Sequence, residues 1–279
     1  MLIFDFNQVV IANLMEQIGS SKTPVEESLV RHMVLNTIRA NVRKFRDYGE
    51  VVIACDNKRY WRRDVFPYYK ANRKKNRDAT GHDWPAIFEC MRKVREELKT
   101  NAPYRVIDVD GAEADDVIGT LTHQNALTEK VMILSSDKDF VQLQTYPNVK
   151  QYSPTLKKFI QSDNPTRQLN EMIVRGDSGD GIPNVLSPDN SLADGIRQKS
   201  ITQKFLDETI LKAETSLGES LTRNWDRNRT LIDLRCIPQE IGNSILTTYN
   251  ETKPASRQQF MNYLIANRLK NLLEVIDEF

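Results

Sequence analysis

The stretch MILSSDKDF, from Met132 to Phe140, ends an apolar run in two aspartates one residue apart, Asp137 and Asp139. A buried carboxylate without a partner costs several kcal/mol or gives up its charge, and two side by side are worse off. A cation between them removes the difficulty. Other acids stand in comparable places. Asp5 lies near the end of LIFDF, Asp56 closes VVIACD, Glu113 and Asp116 lie in GAEADDVIGTL, and Asp177 and Asp180 lie in RGDSGDGIPN. Glu113 and Asp116 are three apart and share one face of a helix, whereas Asp115 points elsewhere. Taken singly, each has an ordinary reading. A strand-end Asp caps or turns the chain, Glu113 and Asp115 complement a helix N-terminus, and GDSGDG forms an Asx turn. Together, five acid-bearing segments at one edge would repel one another without cations. All-oxygen donors of this kind suit magnesium, with manganese as a substitute, rather than zinc.

Directly after Asp56 comes NKRYWRRDVFPYYKANRKKNR. From Asn57 to Arg77 there are nine Lys or Arg, one acid (Asp64) and five aromatics, in a chain whose net charge is only +1. A charge run is commonly a solvated face. Interleaved aromatics argue instead for nucleic acid, because bases stack on rings while Lys and Arg hold phosphates. The candidate contacts are Arg62, Arg63, Tyr69, Lys70, Arg73, Lys74, Lys75 and Arg77. Pro67 interrupts any long amphipathic repeat, which disfavours a membrane-surface helix. An acidic nest beside a basic, aromatic arm suits metal-assisted phosphodiester hydrolysis. Two ions ~3.5–4 Å apart activate a water and stabilise the leaving oxygen. Lys or Arg neutralises charge developing on the phosphoryl group.

The elements that would position these groups are legible in outline. Apolar runs predict strands at Leu2–Phe6, Val51–Cys55, Tyr104–Val109 and Val131–Ser135, alternating with helical patterns. That alternation is the signature of an α/β fold, a mostly parallel central sheet flanked by helices. Thr23-Pro24-Val25-Glu26 reads as a capping box with Pro at the first helical position. Ile87, Met91, Val94 and Leu98 form one face of a helix near Ala86–Lys99. Strand C-termini in such a sheet line one edge, where ligands bind. Beyond Tyr152 strand runs give way to polar turns and helices. The predicted division is an α/β domain over residues 1–165 and a smaller helical domain over 166–279.

Composition excludes several classes. The three cysteines lack CxxC spacing and the three histidines form no HExxH, so neither a disulfide framework nor a zinc site is expected. No apolar stretch approaches the ~20 residues of a membrane span, and no charged signal region opens the chain. A monomer in a reducing cytoplasm is the expectation. No GxxxxGK[ST] occurs, which disfavours a nucleoside-triphosphate site. A phosphatase of the haloacid dehalogenase type would want a second acid two residues after Asp5, where Asn7 stands. A non-catalytic protein binding branched nucleic acid would keep the basic arm without needing so many carboxylates.

The residues LIFDFNQV, WRRDVFPYYKANR, EADD, SSDKDF, YPNVKQYSP and GDSGDGIPN resemble the 5′-nuclease (flap endonuclease) superfamily over nearly the whole chain. The resemblance implies a PIN-like nuclease domain, a helix-turn-helix-like DNA-contact region in the C-terminal helical domain, and a magnesium-dependent 5′→3′ exonuclease and flap endonuclease. Its substrates would be RNA–DNA and DNA–DNA duplexes, flapped and RNA-primed, and it would remove RNA primers during lagging-strand replication. It further implies Asp5, Asp56, Asp116 and Asp137 for one ion, and Asp139 and Asp180 for a second, with Asp177 and Glu113 close by. Lys70 would be the electrophilic residue and Arg73 its partner, within an arch or bridge over about residues 60–83. A single-strand-binding protein and a sliding clamp are the replication partners implied. The chain departs from the family at Gly181, where Asn is usual, and lacks the glycine-rich turn that follows.

Overall fold

The computed structural model describes residues 1–19, 25–213 and 217–279. Six strands form its one sheet: β1 Leu2–Asp5, β2 Val51–Ala54, β3 Arg105–Ile107, β4 Val131–Leu134, β5 Val149–Ser153 and β6 Lys158–Ile160. Their order is β3-β2-β1-β4-β5-β6, parallel throughout except for β6. The helices are α1 Phe6–Ile18, α2 Glu27–Lys44, α3 Arg62–Val65, α4 Arg73–Asp78, α5 Trp84–Asn101, α6 Ala114–Asn125, α7 Pro165–Arg175, α8 Gln203–Lys212, α9 Glu219–Ile232, α10 Gln239–Glu251, α11 Arg257–Ala266 and α12 Lys270–Leu273. The predicted α/β class holds.

β1 pairs with β2 on one side and β4 on the other, with Leu2 opposite both Val51 and Met132. The chain steps outward from β1 to β3, then returns to place β4 on the opposite side. The C-terminal ends of β1 and β4 therefore flank the point where strand order reverses, which is where open α/β sheets form their ligand crevice. The four strands read from sequence are present, three of them one residue shorter than expected and β3 three residues shorter. β1, β2 and β4 are buried along their whole length and read as continuous apolar runs, as strands covered on both faces do.

β5 and β6 escaped the sequence reading because VKQYS interrupts its apolar residues with Lys150 and Gln151. Gln151 is nevertheless fully buried. Its side-chain amide donates to the carbonyls of Ser135 (3.0 Å) and Asp137 (2.6 Å), so a polar residue of β5 holds the loop that carries Asp137.

One face of the sheet is covered by α1, α2 and α5, where Ile87, Met91, Val94 and Leu98 are buried as the periodicity predicts. α6 and α10 cover the other face. The capping box read at Thr23–Glu26 lies partly outside the described residues. α2 begins at Glu27, and Glu26 makes no side-chain cap.

The chain beyond Pro165 is not gathered into one separate body. α7, α8 and α9 form a third apolar cluster with Phe66 and Tyr69 of the basic stretch. Ile245 of α10 joins the core beneath α6, while Phe260, Leu264 and Leu272 of α11 and α12 join the core beneath α5. α7 is followed by an irregular stretch from Gly176 to Thr202 before α8 opens.

Candidate active site

Three strand ends deliver their acids to one edge. Asp5 ends β1 and caps α1, accepting the Gln8 amide at 3.2 Å and the Ser135 hydroxyl at 2.8 Å. Asp56 lies just beyond β2 and accepts from the Asn7 side chain (2.7 Å) and from the Ala114 amide at the start of α6 (2.8 Å). Asp137 follows β4 and accepts the Asp139 amide at 3.0 Å. These three, with Glu113, Asp115 and Asp180, line one cavity of about 810 Å³. Asp139 and Asp177 are not part of that lining. Asp177 caps its own turn by accepting the Gly179 amide at 2.7 Å, and its other oxygen pairs with Lys138 at 2.8 Å.

Asp115 and Asp116 exchange the places expected of them. Asp116 is fully buried and accepts from the Glu113 amide (2.9 Å), the Trp61 indole (3.2 Å) and the Arg62 guanidinium (3.0 Å), which also pairs with its other oxygen at 2.9 Å. Asp115 faces the cavity. The signal was present in EADD. When Glu113 is the N-cap, a carboxylate at the third helical position folds back onto the cap amide. That interaction occupies Asp116 and leaves the second position, Asp115, facing out of the helix end.

Two residues expected to touch nucleic acid are interior anchors instead. Arg62 is 2% exposed and ties Asp116 and Glu113 to the Leu231 carbonyl (2.9 Å) at the end of α9. Tyr69 is 2% exposed, and its hydroxyl donates to Glu113 (3.1 Å) or Asp180 (2.9 Å). A buried guanidinium needs partners on all sides. A tertiary contact with α9 supplies one of them, which local spacing does not announce. Arg63, Arg73 and Arg77 line the cavity, whereas Lys74 and Lys75 are exposed on α4.

Between these anchors the chain crosses the strand edge as a short bridge. The Lys70 amide donates to the Asp180 carbonyl (2.7 Å), Asn72 to the Ser178 carbonyl (2.8 Å) and Arg73 to the Gly179 carbonyl (3.2 Å). Lys70 adopts a positive φ of 56°, rare outside glycine, and this turns its ammonium inward. There it bonds Glu113 and stands 3.7 Å from Asp180, which Arg73 also grips.

Charge in this edge is unbalanced. Burial, then repulsion from Asp56, pushes the Asp5 carboxyl up to about 7. Burial raises Asp56 as well. Burial followed by repulsion from Asp137 raises Asp115 and Asp139, and burial raises Asp137. Asp180 behaves oppositely. Its burial is outweighed by Lys70 and then Arg73, which hold it below the usual carboxylate range. One oxygen of Asp139 is buried with no hydrogen-bond partner. Among the described residues, no three such side chains close on a single point in metal-ligand spacing. Repelled carboxylates and an orphaned carboxylate oxygen nonetheless form a donor set that suits hard divalent cations. Asn7, Ser135 and Gln151, which brace Asp56, Asp5 and Asp137, were not anticipated; amides and hydroxyls carry too little sequence signal.

Comparison with known proteins follows this geometry. Residues 13–172 match the N-terminal resolvase-like domain of 5′–3′ exonucleases, and residues 165–279 match the C-terminal region of T4 RNase H. The chain is 35% identical to the ribonuclease H of Enterobacteria phage T4, covering 99% of this chain and 95% of that protein. It is 31% identical to a 5′–3′ exonuclease of Buchnera aphidicola over 51% of this chain and 50% of that protein. Among solved structures, a bacteriophage T5 flap endonuclease in complex with DNA and metal ions shares the fold, with a TM-score of 0.62, 17% identity and coverage of 90% and 99%. The same T5 protein crystallised with metal ions gives a TM-score of 0.60 at 18% identity, covering 90% of this chain and 98% of that one. The chain belongs to the 5′–3′ exonuclease family and is a 5′ nuclease, a hydrolase of phosphodiester bonds.

Proposed function

We propose that the protein is a divalent-metal-dependent 5′→3′ exonuclease and flap endonuclease of RNA–DNA and DNA–DNA duplexes, suited to removing RNA primers in DNA replication. The observation that carries this reading is the meeting of Asp5, Asp56, Glu113, Asp115, Asp137 and Asp180 with Lys70 and Arg73 in one cavity at the reversal of strand order. Asp5, Asp56, Asp115 and Asp137 would hold one cation, and Asp139, Asp177 and Asp180 a second, with magnesium the natural choice for all-oxygen donors. Such ions supply an activated water and stabilise the leaving oxygen.

The protein's own groups do the rest. Lys70 and Arg73, anchored through backbone contacts to the turn at Ser178–Asp180, would meet the non-bridging oxygens of the scissile phosphate. Their present partners, Glu113 and Asp180, keep both cations aimed into the cavity. Arg63 and Arg77 on its wall would hold neighbouring phosphates, and Lys74 and Lys75 would meet the backbone farther out. Among the described residues no helix is long and apolar enough to cross a membrane, and the three unpaired cysteines suit a reducing cytoplasm.

The deciding experiment is cleavage of a 5′-labelled RNA–DNA hybrid and a 5′-flap substrate, with magnesium or EDTA, by the wild type and Asp137→Asn. Short labelled products that require both magnesium and Asp137 are expected. Tight binding of branched DNA without cleavage would replace this reading with a binding role.

A further inference from the structure

The turn after β4 carries Asp139 and, three residues on, the buried Gln142. The Gln142 amide donates to the Asp139 carbonyl (2.8 Å) and to the Ile232 carbonyl (3.1 Å), and its oxygen accepts the Leu234 amide (2.8 Å). Gln142 therefore ties the Asp139 turn to the end of α9, 90 residues away in the chain. The same helix end takes a second bridge. Arg62 donates to the Leu231 carbonyl at 2.9 Å while it grips Glu113 and Asp116 at the start of α6. The last carbonyls of a helix have no partner within it. Here two of them accept from side chains that also hold the acidic edge. Leu231 and Ile232 are buried in the apolar cluster of α7–α9 and Leu234 in the core beneath α6, so this helix end is fixed between two cores.

We propose that the C-terminal end of α9 is a shared anchor for the acidic edge, holding the start of α6 through Arg62 and the Asp139 turn through Gln142, and that Gln142 is thereby a positioning residue for divalent-cation binding. The proposal deepens the divalent-cation reading of the carboxylates and rests on it. Neighbouring carboxylates repel one another until cations arrive. Their spacing in the metal-free protein then depends on what holds the backbone beneath them. Asp115, which faces the cavity, is the neighbour of the Asp116 that Arg62 holds. Asp139 has a carboxylate oxygen with no hydrogen-bond partner, and Gln142 holds its carbonyl. The anchor thus reaches acids on both sides of the edge. None of Gln142, Leu231, Ile232 and Leu234 lines the cavity, so the anchor acts through the acids it spaces.

The test compares Gln142→Met, which keeps the length of the side chain and removes all three bonds, with Leu264→Ala, a core truncation in α11 that touches neither partner. Hydrogen exchange is read in EDTA, and Mn2+ binding is read by electron paramagnetic resonance on the folded variants. Gln142→Met should speed exchange about tenfold at residues 137–140 and also at residues 113–117, to which Gln142 donates no bond. Its Mn2+ affinity should fall roughly 10- to 100-fold. Leu264→Ala should single out neither segment and should bind Mn2+ as the wild type does. Gln142→Asn keeps an amide one methylene too short to span both elements and should repeat both effects, so the test survives if Gln142→Met does not fold. Faster exchange at residues 137–140 alone, or an unchanged Mn2+ affinity, overturns the proposal. A wild type that binds no Mn2+, with both segments loosened together in Gln142→Met, would overturn the divalent-cation reading and leave the anchor standing.

Discussion

Gly181 passes so close beneath Tyr68 that a Cβ there would stand 2.8 Å from the Tyr68 carbonyl oxygen. It would also lie 3.3 Å from the Lys70 amide, and φ at Gly181 is +73°. The bridge that presents Lys70 can settle onto the Ser178–Asp180 turn because nothing projects from residue 181. The Gly at this place is a contact requirement as well as a turn requirement.

Gly181→Ala should therefore act through Lys70. We expect a stability loss of about 1–3 kcal/mol from the strained backbone and a fall in kcat larger than any rise in KM. In a Lys70→Ala background the same change should lower kcat no further, since the lysine it misplaces is gone. Multiplicative losses in the two backgrounds would mean that Gly181 acts by another route.

Asp115 and Asp116, adjacent in sequence, should give opposite phenotypes. Asp116→Asn leaves Arg62 short of a buried partner and should cost about 3 kcal/mol in denaturant unfolding. Asp115→Asn should abolish cleavage, yet raise metal-free stability by removing a repelled buried charge. Equal destabilisation by the two would contradict their placement.

Asp5 gives a pH dependence with a definite sign. Its folded value of about 7 lies above the unfolded carboxyl value near ~3.9, so the fold favours the protonated form. The associated stability is fully present below about pH 4 and is lost as pH rises through about 7. In EDTA the Tm should fall across that interval, and Asp5→Asn should flatten the fall. Magnesium should raise Tm most above pH 7, where the carboxylates it would join are ionised. A metal-free Tm that rises from pH 4 to 7 by the same amount in wild type and Asp5→Asn would refute the assignment.

The exposed cations of α4 should appear in salt dependence. Replacing Lys74 and Lys75 with Ala should reduce the log–log slope of duplex affinity by about 2 if each neutralises one phosphate. Equilibrium binding from low to moderate salt measures it. An unchanged slope would remove α4 from the interface.

Strand-end acids, the α5 periodicity and the basic stretch were legible because each is a local pattern: an apolar run stopped by a carboxylate, a 3.6-residue repeat, a cluster of like charge. These patterns determined the α/β class and most of the acidic edge, with Asp5, Asp56 and Asp137 at the ends of adjacent strands. Only tertiary structure decided which cations face the cavity. Arg62 and Arg63 are neighbours of identical type, and α9 draws the first inward through the Leu231 carbonyl while the second lines the cavity. It likewise seated Gln151 beneath Asp137 and brought Phe88 of α5 beside Arg77 of the bridge. Such pairings join residues distant in the chain. Their free energy comes from desolvated partners meeting in space, and no local spacing encodes which partner arrives.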